Sequence, residues 1–144
     1  MTVTNIIEPI KTFIATYSGL TAGAALTVDR LGDTPTEYAI VPQPGSKIIA
    51  TYIDNSSERE YPFAFQATLS TADEQIRITN SGFFEDFAAW LESQSEAGTL
   101  PTLETGKTAT KIEAVGWGFI YEQGESETAI YQITCKLTYD QVAS

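Results

Sequence analysis

The sequence contains no histidine and a single cysteine, Cys135, among its 144 residues. Without histidine, the chain lacks the side chain that most often serves as a general base or a metal ligand near neutral pH. One cysteine excludes both an intramolecular disulfide and a zinc site built from several cysteines. Cys135 lies on the apolar side of a predicted strand, so we expect a buried and unreactive thiol. We expect no metal and no other cofactor.

Basic residues are scarce as well. Eight lysines and arginines stand against 19 aspartates and glutamates, which leaves a formal net charge of −11. A protein that grips nucleic acid needs a basic surface to displace counterions from the phosphates, so this balance argues against such binding. An acidic surface is still compatible with a path along which DNA slides without sticking.

Long apolar segments are missing too. No stretch approaches the roughly 20 apolar residues that span a bilayer, and the N-terminus lacks a basic region followed by an apolar run. A hydrophobic content of 42% and a charged content of 19% are ordinary for a globular protein. We expect one domain, residues 1–144, of a soluble intracellular protein that does not bind a membrane.

Motifs for catalysis are absent from the sequence. It has no glycine-rich phosphate loop, no Gly-x-Ser-x-Gly and no carboxylate pattern for a metal. Glu122, Glu125 and Glu127 crowd the tip of a predicted hairpin. Carboxylates suit calcium or magnesium, but no acidic-loop motif accompanies them, so we interpret this tip as solvated charge. We expect that the protein is not an enzyme.

Hydrophobic periodicity is what the sequence does contain. Apolar residues spaced by three and four predict a first helix from about Glu8, with Pro9 in its first turn and an end near Gly19. Two short strands are predicted after it, around 26–28 and 37–41.

A second helix is predicted from Ser81, which can cap it, to Gly98, which can end it. Its broad apolar stripe includes Trp90, and we expect this side chain to pack in the core. The preceding segment, 71–79, is ambiguous between a short helical turn and a loop.

The segments 47–53 and 58–69 predict a first hairpin with a polar turn between them. A register that sets Ile48 opposite Phe63 places both on a core face. Pro62 has no N–H to donate to a ladder, so we expect its strand to lie at a sheet edge or to be bulged there.

The C-terminal segment 107–139 predicts a second hairpin. Its second arm, 129–139, alternates between apolar and polar residues, which indicates a strand with one buried face. Joining the arms through 123–126 sets Glu113 opposite Lys136, a favourable cross-strand pair. The same register pairs Ile112 with Leu137, Ala114 with Cys135, Gly116 with Ile133, Gly118 with Tyr131 and Ile120 with Ala129.

The second face of this hairpin is apolar where water is expected. It carries Val115, Trp117, Phe119, Tyr121 and Ile130. Either another part of the chain, such as the first helix, covers this face, or another molecule does. We interpret these five residues as a candidate subunit interface.

Hairpins dominate the predicted strand connections. We therefore expect an α+β fold, in which a mostly antiparallel sheet of two hairpins plus short strands packs against two helices. The predicted order of elements is α-β-β-β-β-α-β-β.

Several segments of the chain together resemble one protein family. They are Asn80-Ser81-Gly82-Phe83, Phe87, Trp90-Leu91-Glu92, Leu100-Pro101, Lys111-Ile112-Glu113-Ala114 and Tyr131-Gln132-Ile133-Thr134-Cys135-Lys136-Leu137-Thr138-Tyr139. Through them, the chain from Asn80 to Tyr139 resembles long-tailed bacteriophage minor capsid or tail-terminator (tail completion) proteins of the head–tail junction.

The resemblance implies a structural virion protein without catalytic residues, made in the cytoplasm of a host bacterium. It implies a homo-oligomeric ring of six copies, a head–tail connector component whose partners are tail-tube and head-completion proteins and through which DNA passes only as cargo. A closed ring requires head-to-tail contacts between two different patches on each copy. The face with Trp117 is a candidate for one patch, and the loops 19–25 and 42–45 are candidates for the other.

A function of another class stays open. The chain could be a monomeric small-ligand binding module whose aromatic side chains line a pocket between sheet and helix. That function predicts a deep cavity enclosed by Phe83, Phe87, Trp90 and Tyr131, whereas a filled core with Trp117 exposed favours assembly. An enzyme of unrecognised type is the third alternative.

Overall fold

The computed structural model describes residues 5–21, 24–29, 37–44, 48–123 and 127–142. In these ranges the chain has an α+β fold, with two helices and a seven-stranded, mostly antiparallel mixed sheet. The elements are α1 (Ile7–Ile14), β1 (Leu26–Val28), β2 (Glu37–Pro42), β3 (Ile48–Thr51), β4 (Ser57–Ser70), α2 (Glu74–Ala97), β5 (Lys107–Ala114), β6 (Phe119–Gln123) and β7 (Thr128–Gln141). The predicted fold class is confirmed. The predicted order has six strands and the structure has seven, because the first arm of the C-terminal hairpin is split into β5 and β6.

Two strands of 14 residues each, β4 and β7, form the centre of the sheet. They pair antiparallel over their whole length, from Ser57 opposite Gln141 to Ser70 opposite Thr128. At about 3.4 Å per residue, this ribbon is about 45 Å long. Each of its edges holds two short strands: β2 and β3 pair with β4, and β5 and β6 pair with β7. β1 adds to β2 in parallel, which makes the sheet mixed.

Both helices pack on the same face of the ribbon, which we call the inner face. The alternation predicted for the last strand is confirmed, because every second residue of β7 is buried there. The core joins Tyr131, Ile133, Cys135, Leu137 and Tyr139 of β7 to Phe63, Phe65, Ala67 and Leu69 of β4, Ile10, Phe13 and Ile14 of α1, and Phe84, Phe87 and Leu91 of α2. The fold is therefore a two-layer arrangement with one core.

α1 forms where the apolar spacing predicts it, with Pro9 in its first turn. The missing N–H of proline costs no helical hydrogen bond there, because the first N–H groups of a helix have no partner within it. The helix ends at Ile14, before the predicted end at Gly19. The N–H groups of Thr16 and Tyr17 bond carbonyls three residues back rather than four, so the chain tightens and leaves the α-helix.

α2 begins at Glu74 rather than at Ser81, so the predicted start is wrong and most of the ambiguous segment is helical. The side chain of Asp73 accepts a hydrogen bond from the Ile76 N–H at 2.9 Å and caps the helix. Neither helix in the described ranges is both long and apolar enough to cross a membrane.

The predicted end of α2 and the predicted packing of Trp90 are confirmed. Gly98 follows the last helical residue with a φ of 76°, in the left-handed region where glycine is unstrained. The ring centroid of Trp90 lies 4.9 Å from that of Tyr17 and 5.2 Å from that of Phe13. These contacts join α2 to α1 and to the chain that follows it.

The predicted register of the first hairpin is wrong. Ile48 lies opposite Arg59 rather than opposite Phe63, and it is exposed rather than buried. The position beside Phe63 is occupied by Pro42, the last residue of β2. Because β2 takes this part of the edge of β4, β3 is confined to the first residues of β4.

β4 is a central strand although it contains Pro62, so the predicted edge or bulge is also wrong. Pro62 lies opposite Lys136 in an unbroken register with β7. Its carbonyl accepts a hydrogen bond from the Gln43 N–H at 3.0 Å, so the polar backbone groups of this residue point away from β7. The missing N–H therefore removes no hydrogen bond from the central ladder.

Cys135 is fully buried on the inner face, which confirms its predicted position. Burial raises the pKa of its thiol far above the ordinary value, because the charged thiolate would lose its hydration. The side chain is therefore a neutral thiol at physiological pH and behaves as a small apolar group.

Candidate assembly surface

The first arm of the C-terminal hairpin is interrupted between Ala114 and Phe119. β5 keeps the predicted register up to Ala114, which lies opposite Cys135. β6 does not keep this register, because Phe119 pairs with Gln132. Between Ala114 and Phe119 the first arm advances five residues, whereas β7 advances only three, from Cys135 to Gln132. Gly116 and Gly118 belong to neither strand, and the predicted partner of Ile120 is wrong. The observed pairs in β6 are Phe119 with Gln132, Ile120 with Tyr131, Glu122 with Ile130 and Gln123 with Ala129.

Phe84 of α2 accounts for this interruption. Its ring stacks on that of Tyr131, with centroids 5.8 Å apart. A Cβ atom at Gly118 would lie 2.5 Å from both the Cβ and the Cγ atom of Phe84, closer than side chains can approach. Gly118 was predicted opposite Tyr131, but the bulky residue for which it makes room is the helical Phe84. The chain passes around this ring, and glycine allows the close approach.

Four of the five predicted interface residues are exposed. Trp117 is 72% exposed, while Val115, Phe119 and Tyr121 each expose about half of their surface and Ile130 is half-buried. Ile120, which was predicted on the core face, is also exposed. The first helix does not cover these side chains, because it packs on the inner face. We call Val115, Trp117, Phe119, Ile120 and Tyr121 the 115–121 patch.

The 115–121 patch is not the single sheet face that alternation predicts. Phe119 lies opposite Gln132 on the outer face of the sheet, away from the helices. Tyr121 is the extra residue of a β-bulge between Ile120 and Glu122. Val115 and Trp117 line a groove between α2 and β5 instead. The interrupted strand therefore spreads its apolar side chains around the edge of the sheet. Sequence reasoning missed this because nothing local indicates where Phe84 will lie.

The groove between α2 and β5 has a volume of about 680 Å³. Its polar lining is mostly acidic, with Glu85, Glu92, Glu96 and Glu113 beside Lys111. The Lys111 Nζ lies 2.8 Å from the Glu113 Oε2, and this contact raises the pKa of the lysine. The groove offers an apolar wall at Trp117 and a negatively charged rim.

Ser95 of α2 closes part of the free edge of β5. Its hydroxyl donates to the Ile112 carbonyl at 2.6 Å and accepts from the Ile112 N–H at 2.9 Å. Unpaired N–H and C=O groups on an edge strand are a template for pairing with another chain. This serine therefore protects β5 from such pairing and fixes the helix against the sheet.

The cavity predicted by the ligand-binding alternative is not found among its four aromatic rings. Phe87 and Tyr131 are buried, and Phe87 stacks on Phe65 with centroids 4.5 Å apart. Phe83 and Trp90 pack into the same aromatic cluster. Phe87 and Tyr131 belong to the core, and Phe83 and Trp90 pack against it. These rings line neither the groove between α2 and β5 nor the groove between α1 and the segment 100–104.

The second groove lies between α1 and the segment 100–104 and has a volume of about 530 Å³. Its charged residues are Glu8 and Glu104, and Glu104 forms an ion pair with Lys107. Threonines and an asparagine supply its other polar groups. The Ser95 hydroxyl of the first groove donates to the Ile112 carbonyl, and the Thr16 hydroxyl of the second donates to the Phe13 carbonyl.

The acidic hairpin tip is described only in part, because Glu125 lies outside the described residues. Within the described ranges, no group of three or more acidic or cysteine side chains is arranged to hold a metal ion. The candidate second contacts, the loops 19–25 and 42–45, also include residues outside the described ranges, at 22–23 and 45.

No family model matches this sequence, and no curated protein matches it.

Proposed function

We propose that the protein is a structural virion component of a phage or prophage, a tail terminator or head–tail junction protein that assembles as a ring on the tail tube. The main support is the 115–121 patch, which exposes three aromatic and two aliphatic side chains on a folded chain. A cluster of exposed apolar side chains along one segment is typical of an interaction site in soluble proteins. The resemblance of residues 80–139 to tail-terminator proteins gives that site its context.

The net charge fits the same proposal. A ring of six copies carries six times the charge of −11 found in each chain. Such a ring repels DNA that passes through its lumen, so that DNA is transient cargo rather than a bound ligand. The partners in this proposal are other copies of the chain, the tail-tube protein and a head-completion protein.

The proposal includes no catalytic activity. The sequence has no histidine, and its single cysteine is buried. An assembly role uses surfaces rather than reactive groups, and the 115–121 patch is such a surface.

The variant Trp117→Ser tests the proposal. Since the indole is mostly exposed, its loss should leave the free energy of unfolding within about 1 kcal/mol of that of the parent. The mutant should stay folded but fail to form rings. Light scattering with mass determination measures assembly, both of the protein alone and of the protein with tail-tube protein of the same genome. Electron microscopy shows whether tube ends carry a ring.

Ile78→Ser is the matched control, because Ile78 is an exposed aliphatic residue on α2 outside the patch. It should assemble as the parent does. If the parent protein stays a strict monomer at high concentration and ignores tail tubes, the proposal is wrong.

A further inference from the structure

The groove between α2 and β5 is strongly acidic. Four glutamates line it, Glu85, Glu92, Glu96 and Glu113, against one lysine, Lys111. The Lys111 Nζ lies 2.8 Å from the Glu113 Oε2, so these two charges largely cancel. The other three glutamates are exposed, and none of them forms an ion pair in the described ranges. The groove therefore presents three unpaired carboxylates.

These three carboxylates lie in a row on one side of α2. Glu92 and Glu96 follow Glu85 by about two and about three helical turns, so all three side chains point to nearly the same side. At about 1.5 Å per residue, the row is about 16 Å long. An extended segment of about five residues has this length, and every second side chain of such a segment points the same way. Basic residues at alternate positions therefore match the row.

An apolar wall lies beside the carboxylates in the same groove. Val115 and Trp117 belong to this wall, and the Trp117 side chain is 72% exposed. The face of an indole attracts a lysine or arginine cation, and an apolar wall suits the aliphatic stems of these residues. The charge of the groove and its exposed indole thus favour the same kind of side chain.

We propose that this groove binds a basic, extended segment of a partner protein, with lysine or arginine at alternate positions. The inference deepens the proposed function, on which the choice of a protein partner rests, because it gives the chemistry by which a neighbouring protein of the assembly is held. Phe119, Ile120 and Tyr121 do not line the groove and are left for contact between copies. The Trp117 indole borders both contacts.

Another copy of the chain does not supply such a segment. Among its eight basic residues, only Lys107 and Lys111 lie within ten positions of each other. Both are already paired, Lys107 with Glu104 and Lys111 with Glu113. Each copy also carries a net charge of −11, which opposes its entry into an acidic groove. The occupant is therefore a different protein.

Fluorescence anisotropy of labelled peptides tests the inference on the full chain. The probe is the peptide Lys-Ala-Arg-Ala-Lys, blocked at both ends. Lys-Lys-Arg-Ala-Ala has the same charge without the alternation, and Glu-Ala-Glu-Ala-Glu has the opposite charge. The parent should bind the alternating peptide more tightly than the consecutive one and should not bind the acidic one. Raising the salt concentration from about 0.01 M to about 0.1 M should weaken binding, because the charged groups are exposed and become screened.

Charge-removing variants locate the binding in the groove. At about 0.1 M salt, Glu92→Gln combined with Glu96→Gln should lower the affinity for the alternating peptide about fivefold, because two exposed ion pairs are lost. The matched control, Glu74→Gln combined with Asp86→Asn, removes two exposed carboxylates of α2 that do not line the groove. It should lower the affinity by less than about twofold, because its charges lie farther from the peptide. Trp117→Leu keeps an apolar side chain but removes the indole face and should lower the affinity about threefold.

The outcomes separate this inference from the ring. If the alternating and consecutive peptides bind equally, or if the groove variant and its control lose affinity equally, binding follows net charge and the inference is wrong. Tighter binding of spermidine, a linear polyamine, than of the peptide overturns the protein partner in favour of a small cation. A parent that forms rings without binding the peptide overturns the groove assignment alone. A parent that binds the peptide but stays monomeric with tail tubes overturns the ring and leaves the basic-segment site standing.

Discussion

Two glycines separated by one residue, Gly116 and Gly118, differ in what surrounds them. A Cβ atom at Gly118 would meet the Cβ and Cγ atoms of Phe84 at 2.5 Å, and these atoms lie at the base of the side chain and cannot swing away. A Cβ atom at Gly116 would meet no atom within 4 Å. The glycine that shapes the 115–121 patch is therefore Gly118.

Gly118→Ala should lower the free energy of unfolding by about 1–3 kcal/mol, because the added methyl overpacks the contact with Phe84. Gly116→Ala, the matched control, should change it by no more than about 0.5 kcal/mol. Urea denaturation followed by tryptophan fluorescence measures both. Equal effects of the two substitutions would show that the helical ring does not constrain this strand.

Single residues were predictable where their own strand decides their environment. The alternation of β7 correctly predicted Cys135 and Leu137 in the core, because every second residue faces the helices. Pro62 was not predictable in this way. Its effect depends on which edge its backbone faces and on where β2 ends, and both are set by residues elsewhere in the chain.

At the scale of elements, the start of α2 shows how tertiary contacts override local signals. The first turns contain the β-branched Ile76 and Ile78, which lower helix propensity. Two side chains nevertheless tie these turns to the end of β4 and the residue after it: Arg77 donates to the Thr71 carbonyl, and Asn80 donates to the Ser70 carbonyl at 2.8 Å. Neither bond is visible in the local sequence.

Asp73→Ala should destabilise the protein by about 1 kcal/mol, because it removes the cap that accepts from the Ile76 N–H. The control is Ser81→Ala at the cap that the sequence predicts. Ser81 is exposed in the middle of the helix, so alanine there should be neutral or stabilising by about 0.5 kcal/mol. Thermal unfolding by circular dichroism measures both. A larger loss at Ser81 than at Asp73 would contradict the observed helix start.

The predicted strand register holds only in the first arm of the C-terminal hairpin up to Ala114. Glu113 does lie opposite Lys136, as the charge pairing predicts. Beyond Ala114 the register is set by Phe84, which is 30 residues away in sequence, and beside Phe63 it is set by β2. The sequence therefore predicted which residues form the candidate site but not its shape. Four of the five residues are exposed as expected, but they do not lie on one face of the sheet.

On the scale of the whole molecule, two features act against each other. In the proposed assembly, the exposed 115–121 patch favours contact between copies, whereas the charge of −11 on every copy opposes it. The hydrophobic effect stabilises a contact only where apolar surfaces touch and exclude water, whereas charge repulsion between the copies extends over the Debye length of the solution. If the proposed assembly forms, the balance between them sets the concentration at which copies associate.

Added neutral salt should therefore strengthen self-association. The Debye length falls from about 30 Å at 0.01 M to about 10 Å at 0.1 M and about 3 Å at 1 M, so screening removes most of the repulsion and leaves the apolar contact nearly unchanged. Sedimentation velocity at several salt concentrations should show the oligomer forming at lower protein concentration as salt increases. Trp117→Asp serves as the control and should stay monomeric throughout. If the parent protein instead dissociates as salt increases, ion pairs hold the copies together, and the 115–121 patch is not the main contact.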